Sequence, residues 1–260
     1  MIVNRDERRG PATSFASVAD AYERSRPGYP DAAVRWLAGD VPCDVVDLGA
    51  GTGKLTRSLV ALGHRVTAVE PLPEMIAHLR TAVPEAAIVE GGAEAMPLPD
   101  GVADVITVAQ AFHWFDHAAA LPEIARVLRP GGCLALVWNT RDDRESWVEK
   151  LSDTVIGRET LEERDAAAPL AESGLFAEVE RATFAHVQEL DRDTLLDLVL
   201  SRSYCAVLTP EERAPVLDRV GLIFDEHASG GVVRLPYVAE CFRAVRRQER
   251  GLPLPAPSGV

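Results

Sequence analysis

The sequence predicts an α/β fold built on a doubly wound, mostly parallel sheet, and two patterns support this prediction. Between residues 44 and 138, short apolar segments rich in Val, Ile and Leu alternate with segments of helical periodicity. The short segments lack polar–apolar alternation, which is typical of strands that helices cover on both faces. Strand–helix–strand alternation favours βαβ units, whose crossover connections make consecutive strands parallel.

The elements of this region follow one another in a regular order. Each predicted helix is followed by Gly or Pro, and both residue types are helix stop signals. The predicted strands are Asp44–Leu48, Arg65–Val69, Ala86–Val89, Asp104–Ala109 and Cys133–Trp138, and the predicted helices are Lys54–Leu62, Leu72–Ala82 and Ala118–Leu128.

The pattern changes after Trp138. Residues 139–175 are acidic and predicted helical, and they precede a predicted strand, Val179–Gln188. Asp191–His227 is predicted to form two helices with a break at Thr209–Pro210, and Val232–Arg246 a final strand. Pro236 within that strand favours an edge position or a bulge, because proline cannot donate a ladder hydrogen bond. We interpret the helices as a cap over the open end of the sheet, since no flexible linker separates them from it.

Composition limits the possible partners. The chain has 260 residues, with 27 Lys and Arg against 40 Asp and Glu, so its formal net charge is −13. Residues 31–140 carry a net charge of −6 and residues 141–231 carry −11. Such a surface disfavours nucleic acid and anionic membranes as partners and favours a small ligand.

The cysteines and the termini indicate a reducing environment. Cys43, Cys133, Cys205 and Cys241 are dispersed, without any C-x-x-C pair. We therefore expect reduced thiols, no metal site and a cytoplasmic location. The charged start of the chain lacks the apolar stretch of a signal peptide, and no run of about eighteen apolar residues indicates a membrane span.

A glycine-rich loop is the strongest local motif. Residues 45–55 read VVDLGAGTGKL, with Asp47 two positions before Gly49 and further glycines at Gly51 and Gly53. Glycines allow a tight turn and close approach of a ligand, and the helix that follows offers free N–H groups. A Walker loop is excluded, because leucines stand where its first Gly and its Ser or Thr are required. A dinucleotide loop is also disfavoured, because Lys54 takes the place of its third glycine.

Glu70 stands at the carboxyl end of the second predicted strand, directly after Val69 and 23 residues after Asp47. Parallel strands end at the same edge of a sheet, so this carboxylate is expected next to the glycine loop. A carboxylate there can accept hydrogen bonds from both ribose hydroxyls of a nucleoside. The alternative is a solvated acid at a strand end.

Four further stretches complete a resemblance. They read FASVADAYERSRPGYP at 15–30, GAEAMPLP at 92–99, QAFHWFD at 110–116 and RVLRPGGCLALVW at 126–138. With the acid and alternating glycines of the loop, the chain resembles class I S-adenosylmethionine-dependent methyltransferases. Within them it is similar to the methyltransferase type 11-like, trans-aconitate methyltransferase-like subgroup. Met96 departs from the usual leucine of that subgroup.

The resemblance implies a fold and a domain organisation. The fold is a Rossmann-like, seven-stranded, mostly parallel sheet with an antiparallel last strand and an α-helical cap. Residues 13–250 would form one methyltransferase domain between disordered tails at 1–12 and 251–260. Its expected parts are an N-terminal helical lid (13–40), a cofactor-binding core (41–140), an acceptor cover (141–231) and the final strand (232–247).

The resemblance also implies a cofactor, S-adenosylmethionine, with S-adenosylhomocysteine as product. The glycine loop would hold its methionine part, Asp47 would orient the loop or the amino group, and Glu70 would bind the ribose. Arg26 would pair with the cofactor carboxylate, with ordinary surface charge as the alternative. The implied cofactor-binding residues are Tyr22, Arg26, Asp47, Gly49, Gly51, Gly53, Glu70, Pro71, Leu72, Met75, Ala93, Glu94 and Gln110.

The transfer site is predicted after the fourth strand. His113 is the candidate proton acceptor, since its ordinary pKa suits proton transfer near neutrality. Packing within an aromatic cluster is the alternative role. Candidate acceptor contacts are Trp114, Phe115, Trp138, Arg202 and Tyr204.

We expect methylation of a small molecule, with a carboxylate or hydroxyl oxygen as the favoured acceptor atom. The chain has no Pro–Pro pair after the fourth strand, which disfavours methylation of base amines. Two alternatives stay open: an enzyme of the same fold that uses the cofactor without methyl transfer, and a non-catalytic binding protein. A monomer and a homodimer are both compatible with the sequence.

Overall fold

A computed structural model describes residues 23, 25–154, 167–201, 205 and 208–247. Its centre is a seven-stranded sheet of spatial order β3-β2-β1-β4-β5-β7-β6. The strands are β1 (Asp44–Leu48), β2 (Arg65–Glu70), β3 (Ala87–Glu90), β4 (Ala103–Ala109), β5 (Leu128–Arg141), β6 (Glu180–Leu190) and β7 (Val233–Val245).

Helices precede, connect and cap these strands. A 3-10 turn, Phe112–Trp114, follows β4. The α-helices are α1 (Asp31–Ala38), α2 (Lys54–Ala61), α3 (Pro73–Ala82), α4 (His117–Val127), α5 (Ser146–Thr154), α6 (Ala167–Ser173), α7 (Arg192–Leu200) and α8 (Pro210–His227). None of the helices in the described part of the chain is long and apolar enough to cross a membrane.

Strand pairing explains where a ligand can enter. Strand β1 pairs in parallel with β2 on one side and with β4 on the other. From β1 the chain first builds outward on one side, through β2 and β3. It then returns to the other side of β1, where β4 and β5 lie, so the strand order reverses at β1. In open α/β sheets the crevice at such a reversal, beyond the carboxyl ends of the strands, is where ligands bind. The glycine loop follows β1 at this point.

The predicted α/β class and the antiparallel last strand are confirmed. Strand β7 runs antiparallel to both β5 and β6. The first five strands and the connecting helices lie within a few residues of their predicted bounds, except that β5 extends from Leu128 to Arg141. The helical prediction for 139–175 is therefore wrong at its start, because Asn139–Arg141 continue β5 alongside β7.

The edge or bulge prediction for Pro236 is wrong. Strand β7 lies inside the sheet, and Pro236 pairs in unbroken register with Val187 of β6. The proline carbonyl accepts from Asp142 N–H at 3.0 Å, just beyond Arg141, the last paired residue of β5. In an antiparallel strand a residue's N and O point to the same side. The missing N–H thus faces the end of β5, where it costs no ladder hydrogen bond.

Apolar side chains cover both faces of the sheet and continue into the cap. One apolar cluster packs β4 and β5 against α4, and its members include Ile106, Leu136 and Ile124. A second packs α1 and α2 on the opposite face. A third joins α5, α7 and α8 to the start of β7, including Tyr237. The cap thus shares its core with the sheet.

Candidate functional site

The three glycines of the loop adopt left-handed backbone conformations. Gly49, Gly51 and Gly53 have φ values of 70°, 57° and 90°. A Cβ at Gly53 would stand 2.4 Å from Leu79 Cδ1, so this glycine lets α3 pack against the loop. A Cβ at Gly51 would meet nothing within 4 Å. The loop therefore presents bare backbone to open space at Gly51.

Asp47 stabilises the position of the loop through side-chain hydrogen bonds to two neighbouring elements. Its carboxylate is fully buried and accepts hydrogen bonds from Thr56 Oγ1 at 2.6 Å and from Thr107 Oγ1 at 2.9 Å. Burial raises the pKa of Asp47 to about 6, and the two threonine hydroxyls oppose this rise. The side chain connects the end of β1 to α2 and β4, an arrangement that holds the loop in place.

Glu70 closes the other side of the loop. The residue is only 5% exposed, and its Oε2 accepts the N–H of Gly51 at 2.9 Å. Its Oε1 accepts the N–H of Leu72 at 3.1 Å. Burial raises the pKa of Glu70, and these two backbone hydrogen bonds lower it in part. Because a carboxylate oxygen has two lone pairs, each oxygen keeps one for a further donor.

The residues predicted around an adenine ring lie at neighbouring strand ends. Pro71 and Leu72 are exposed, and Met75 is half-buried at the start of α3. Ala93 is buried in the cluster beneath β4. Glu94 is exposed, and its Oε1 accepts the N–H of Asp116 at 2.9 Å. This bond connects the segment after β3 to the start of α4.

Gln110 stands at the end of β4 in a left-handed conformation, with φ of 56°. Non-glycine residues rarely adopt this conformation, and such strain concentrates at functional sites. The Gln110 N–H donates to Val137 O at 2.9 Å, and its Nε2 donates to Asn139 O at 3.3 Å. Both bonds fix the residue between β4 and β5.

The aromatic turn after β4 separates into a buried and an exposed part. Phe112 is buried, whereas His113 and Trp114 are exposed with ring centroids 4.9 Å apart. Phe115 is half-buried, and its ring comes within 3.7 Å of the position of a Cβ at Gly49. His113 therefore lies at the carboxyl end of the sheet, on its surface.

Trp138 lies inside the core. It is 1% exposed and makes edge-to-face contacts with Phe112 and Phe242 at centroid distances of 6.5 and 5.7 Å. Its predicted contact with an acceptor is not retained, because no part of the ring reaches a surface. A strand with both faces covered makes this placement the normal one.

The N-terminal segment, defined as Glu23 and residues 25–30, is bonded to the glycine loop, to α2 and to the cap. Arg26 Nε donates to Ser201 Oγ at 2.9 Å and its Nη2 to Ser201 O at 3.1 Å. Glu23 accepts from Thr52 Oγ1 at 2.6 Å and from Arg57 Nη2 at 3.0 Å. Three predicted site residues, Tyr22, Arg202 and Tyr204, lie outside the described residues.

Sequence reasoning missed a polar group at the end of β5. Asn139 Nδ2 donates to Gly28 O at 2.9 Å, and Asn139 Oδ1 lies 2.9 Å from His186 Nε2. The His186 ring stacks on Tyr237, with centroids 5.5 Å apart. Asn139 follows a predicted strand directly, as Glu70 and Gln110 do, and this position is a usable signal. His186 has none, because its neighbours come from distant parts of the chain.

The described side chains include no group of three or more His, Cys, Asp or Glu arranged to hold a metal ion.

The sequence profile of a methyltransferase domain matches residues 46–136. An uncharacterized methyltransferase of Mycobacterium tuberculosis is 47% identical over 240 residues, which span 91% of this chain and 97% of that protein.

Solved structures give the same result for the fold. A putative type II methyltransferase from Anaeromyxobacter dehalogenans superposes with a TM-score of 0.64 at 26% identity, over 85% of this chain and 97% of that one. A Haemonchus contortus phosphoethanolamine N-methyltransferase in complex with S-adenosyl-L-methionine superposes with a TM-score of 0.56 at 17% identity, over 95% and 61% of the two chains.

Proposed function

The chain belongs to the class I methyltransferases, and on this basis we propose that it transfers a methyl group from S-adenosylmethionine to a small organic acceptor. The observation that supports this most directly is the hydrogen bond from the Gly51 N–H to the Glu70 carboxylate. The buried carboxylate is held by two backbone N–H groups, beside a glycine whose missing side chain leaves open space.

The described residues fit such a cofactor. The free lone pairs of Glu70 suit the two ribose hydroxyls, and Leu72 and Met75 offer apolar surface for a base. Gly49 and Gly51, with the backbone of Gln110, would hold the methionine part. The Haemonchus methyltransferase of the same fold forms a complex with S-adenosyl-L-methionine, which supports this choice of cofactor.

When bound, S-adenosylmethionine supplies an electrophilic methyl group and a neutral leaving group. The chain's own contribution is to orient the acceptor and to exclude water. Orientation of this kind is worth up to about 7–11 kcal/mol of the barrier. The N-terminal segment, fastened by Glu23 and Arg26 to the loop and the cap, would close the site over the reactants.

A hydroxyl acceptor loses a proton on methylation, whereas a carboxylate acceptor does not. For a hydroxyl acceptor we propose His113 as the proton acceptor, with Trp114 and Phe115 beside it at the carboxyl end of the sheet. The proposed partners are a small-molecule acceptor only, without nucleic acid or membrane, and the proposed location is the cytoplasm. The chain is proposed to act as a monomer or homodimer.

Calorimetric titration of the dialysed protein with S-adenosylhomocysteine tests the cofactor. We expect binding, and we expect Glu70→Ala to weaken it about tenfold or more, the loss typical of charge-assisted hydrogen bonds. Glu90→Ala is the matched control, because Glu90 is the exposed register partner of Glu70 on β3. Absence of binding to the unaltered protein would contradict the proposed function.

A further inference from the structure

Strand β6 forms one edge of the sheet and is long for an edge strand. It has 11 residues, whereas β3 at the opposite edge has 4. In the described part of the chain, β6 pairs with β7 only. Proteins commonly protect an edge strand by shortness, proline, lysine or a bulge. Strand β6 contains neither proline nor lysine, and its pairing with β7 runs in unbroken register. Its outer edge is therefore open to pairing with another strand.

The pairing of β7 determines which backbone groups of β6 face outward. Pro236 O accepts from Asp142 N–H, and Arg246 N–H donates to Gly132 O. The even-numbered residues of β7 therefore point their backbone groups at β5, and the odd-numbered ones bond to β6. The register partners of those odd-numbered residues carry even numbers on β6. The backbone groups that face outward thus belong to the odd-numbered residues Arg181, Thr183, Ala185, Val187 and Glu189.

These five residues share one face of the strand, because side chains alternate along it. All five are exposed, and Val187 is an apolar residue with 48% of its surface accessible. The three central residues carry no charge. Arg181 and Glu189 carry opposite charges and stand four positions before and after Ala185. The outer edge is therefore complementary to a copy of itself that is rotated by half a turn.

We propose that β6 pairs with β6 of a second copy of this chain, as an antiparallel pair centred on Ala185, and that the two sheets become one in a homodimer. In this register Ala185 faces its own copy, Thr183 faces Val187, and Arg181 faces Glu189. All five outward-facing residues then take part in hydrogen-bonded pairs, because both members of each pair point at each other. The two-fold axis makes each of these contacts occur twice and leaves no open edge at β6.

The charges favour this register. Opposite charges directly across an antiparallel pair are stabilising, and like charges there are destabilising. Any shift of the register separates Arg181 from Glu189 and reduces the number of outward-facing pairs. Glu189 also forms an ion pair with Arg234 of β7 at 3.2 Å. The dimer would therefore place this carboxylate between two arginines, one from each copy.

The interface does not depend on the proposed methyl transfer. It lies at the edge of the sheet formed by β6, and neither the glycine loop nor Glu70 takes part in it. Its test therefore needs no cofactor. The contact is a single strand edge, which favours a weak dimer with a dissociation constant of about 1–100 µM.

Sedimentation velocity of the full chain over a range of concentrations gives the first test. We expect a reversible equilibrium between the 28.1 kDa monomer and a dimer. Ala185→Pro should abolish the dimer, because it removes the central outward-facing N–H without removing a bond to β7. Circular dichroism checks that this variant is folded. A dimer of unchanged affinity in Ala185→Pro would use another surface and overturns the proposal. A chain that stays monomeric at about 500 µM overturns it as well.

A charge exchange gives the second test, which is specific to the register. Arg181→Glu and Glu189→Arg each place like charges opposite one another, and each should weaken the dimer about tenfold or more. An equimolar mixture of the two variants restores opposite charges in both pairs. We expect a heterodimer whose affinity lies within about threefold of that of the unaltered dimer.

The matched controls are Arg80→Glu on α3 and Glu211→Arg on α8, which make the same charge changes at exposed positions away from β6. Both should leave dimerisation unchanged. Fluorescent labelling of one variant in the mixture distinguishes the heterodimer from either homodimer. A mixture that associates no better than its separate components refutes this register, and single variants that dimerise as tightly as the unaltered chain refute it too.

Discussion

The carboxylate of Glu70 accepts the backbone N–H of Gly51 across the ends of two neighbouring strands, at 2.9 Å. This bond joins the two features that the sequence predicted separately, the glycine loop and the acid at the end of β2. It also orients the carboxylate before a ligand binds. The affinity for a ligand and the stability of the fold are expected to depend on this hydrogen bond and on the contacts around it.

Substitution of Gly51 by alanine is expected to weaken S-adenosylhomocysteine binding about tenfold or more and to cost about 1–2 kcal/mol of stability. The stability cost arises because Gly51 has a φ of 57°. The affinity loss arises because the new Cβ enters the open space proposed for the cofactor. Calorimetry and urea denaturation measure the two effects.

Gly101→Ala is the control for that pair of measurements. Gly101 has a φ of 62° and equally open space around it, but it lies in the turn before β4, away from the site. We expect the same loss of stability without a change in affinity. Equal losses of affinity in both variants would show that the effect comes from backbone strain alone.

Stability should fall as the pH rises from about 4 to about 6 by the contribution of Asp47. The folded-state pKa of Asp47 is raised from its ordinary 3.8 to about 6, so the folded protein binds this proton more tightly than the unfolded chain does. Its contribution is fully present below the unfolded pKa and is lost as pH rises through the folded one. The contribution is on the order of 3 kcal/mol, as an upper bound.

Asp47→Asn removes this titration. As the pH rises from about 4 to about 6, we expect the free energy of unfolding of the unaltered protein to fall relative to that of the variant. Urea midpoints at several pH values between 4 and 7 measure it. Parallel curves for the two proteins would contradict the raised pKa.

The two tryptophans near the site should behave in opposite ways. Trp138→Ala is expected to cost about 3–5 kcal/mol, because the ring is buried against Phe112 and Phe242. Trp114→Ala should change stability by less than about 0.5 kcal/mol, because its ring is 59% exposed. Thermal unfolding followed by circular dichroism compares them. A loss of more than about 1 kcal/mol in Trp114→Ala would contradict the exposed position of this ring.

Loss of the hydrogen bond between Thr52 and Glu23 should loosen the N-terminal segment. In Thr52→Val the hydroxyl that donates to Glu23 Oε2 at 2.6 Å is replaced by a methyl group of similar size. We expect faster hydrogen–deuterium exchange of the backbone amides of residues 25–29 than in the unaltered protein, since local opening sets the rate of exchange. Thr81→Val, which removes an exposed hydroxyl on α3, is the control and should leave the rate unchanged. Equal rates in the two variants would show that the hydrogen bond from Thr52 to Glu23 does not hold the segment in place.

The sequence predicted the half of the site that comes from local patterns. Alternating strands and helices located β1 to β5, and the loop and Glu70 followed from residue type and spacing. The other half depends on contacts between distant segments. Arg26 meets Ser201 across 175 residues, and Asn139 meets His186 across 47. No periodicity in a single sequence encodes such pairs. Asn139 and His186 come together only when β7 inserts between β5 and β6.

That insertion has a consequence for how the protein is made. Strand β7, the last strand in the described part of the chain, provides the backbone pairing recorded there for β6 and covers one flank of β5. While the chain is being synthesised, β6 emerges from the ribosome without a partner, whereas the first four strands can already pair with one another. The apolar cluster that joins the cap to the sheet gains Tyr237 only when residues 233–245 have left the exit tunnel. The part of the sheet that carries the glycine loop and Glu70 can therefore form before the part beyond β5 is completed.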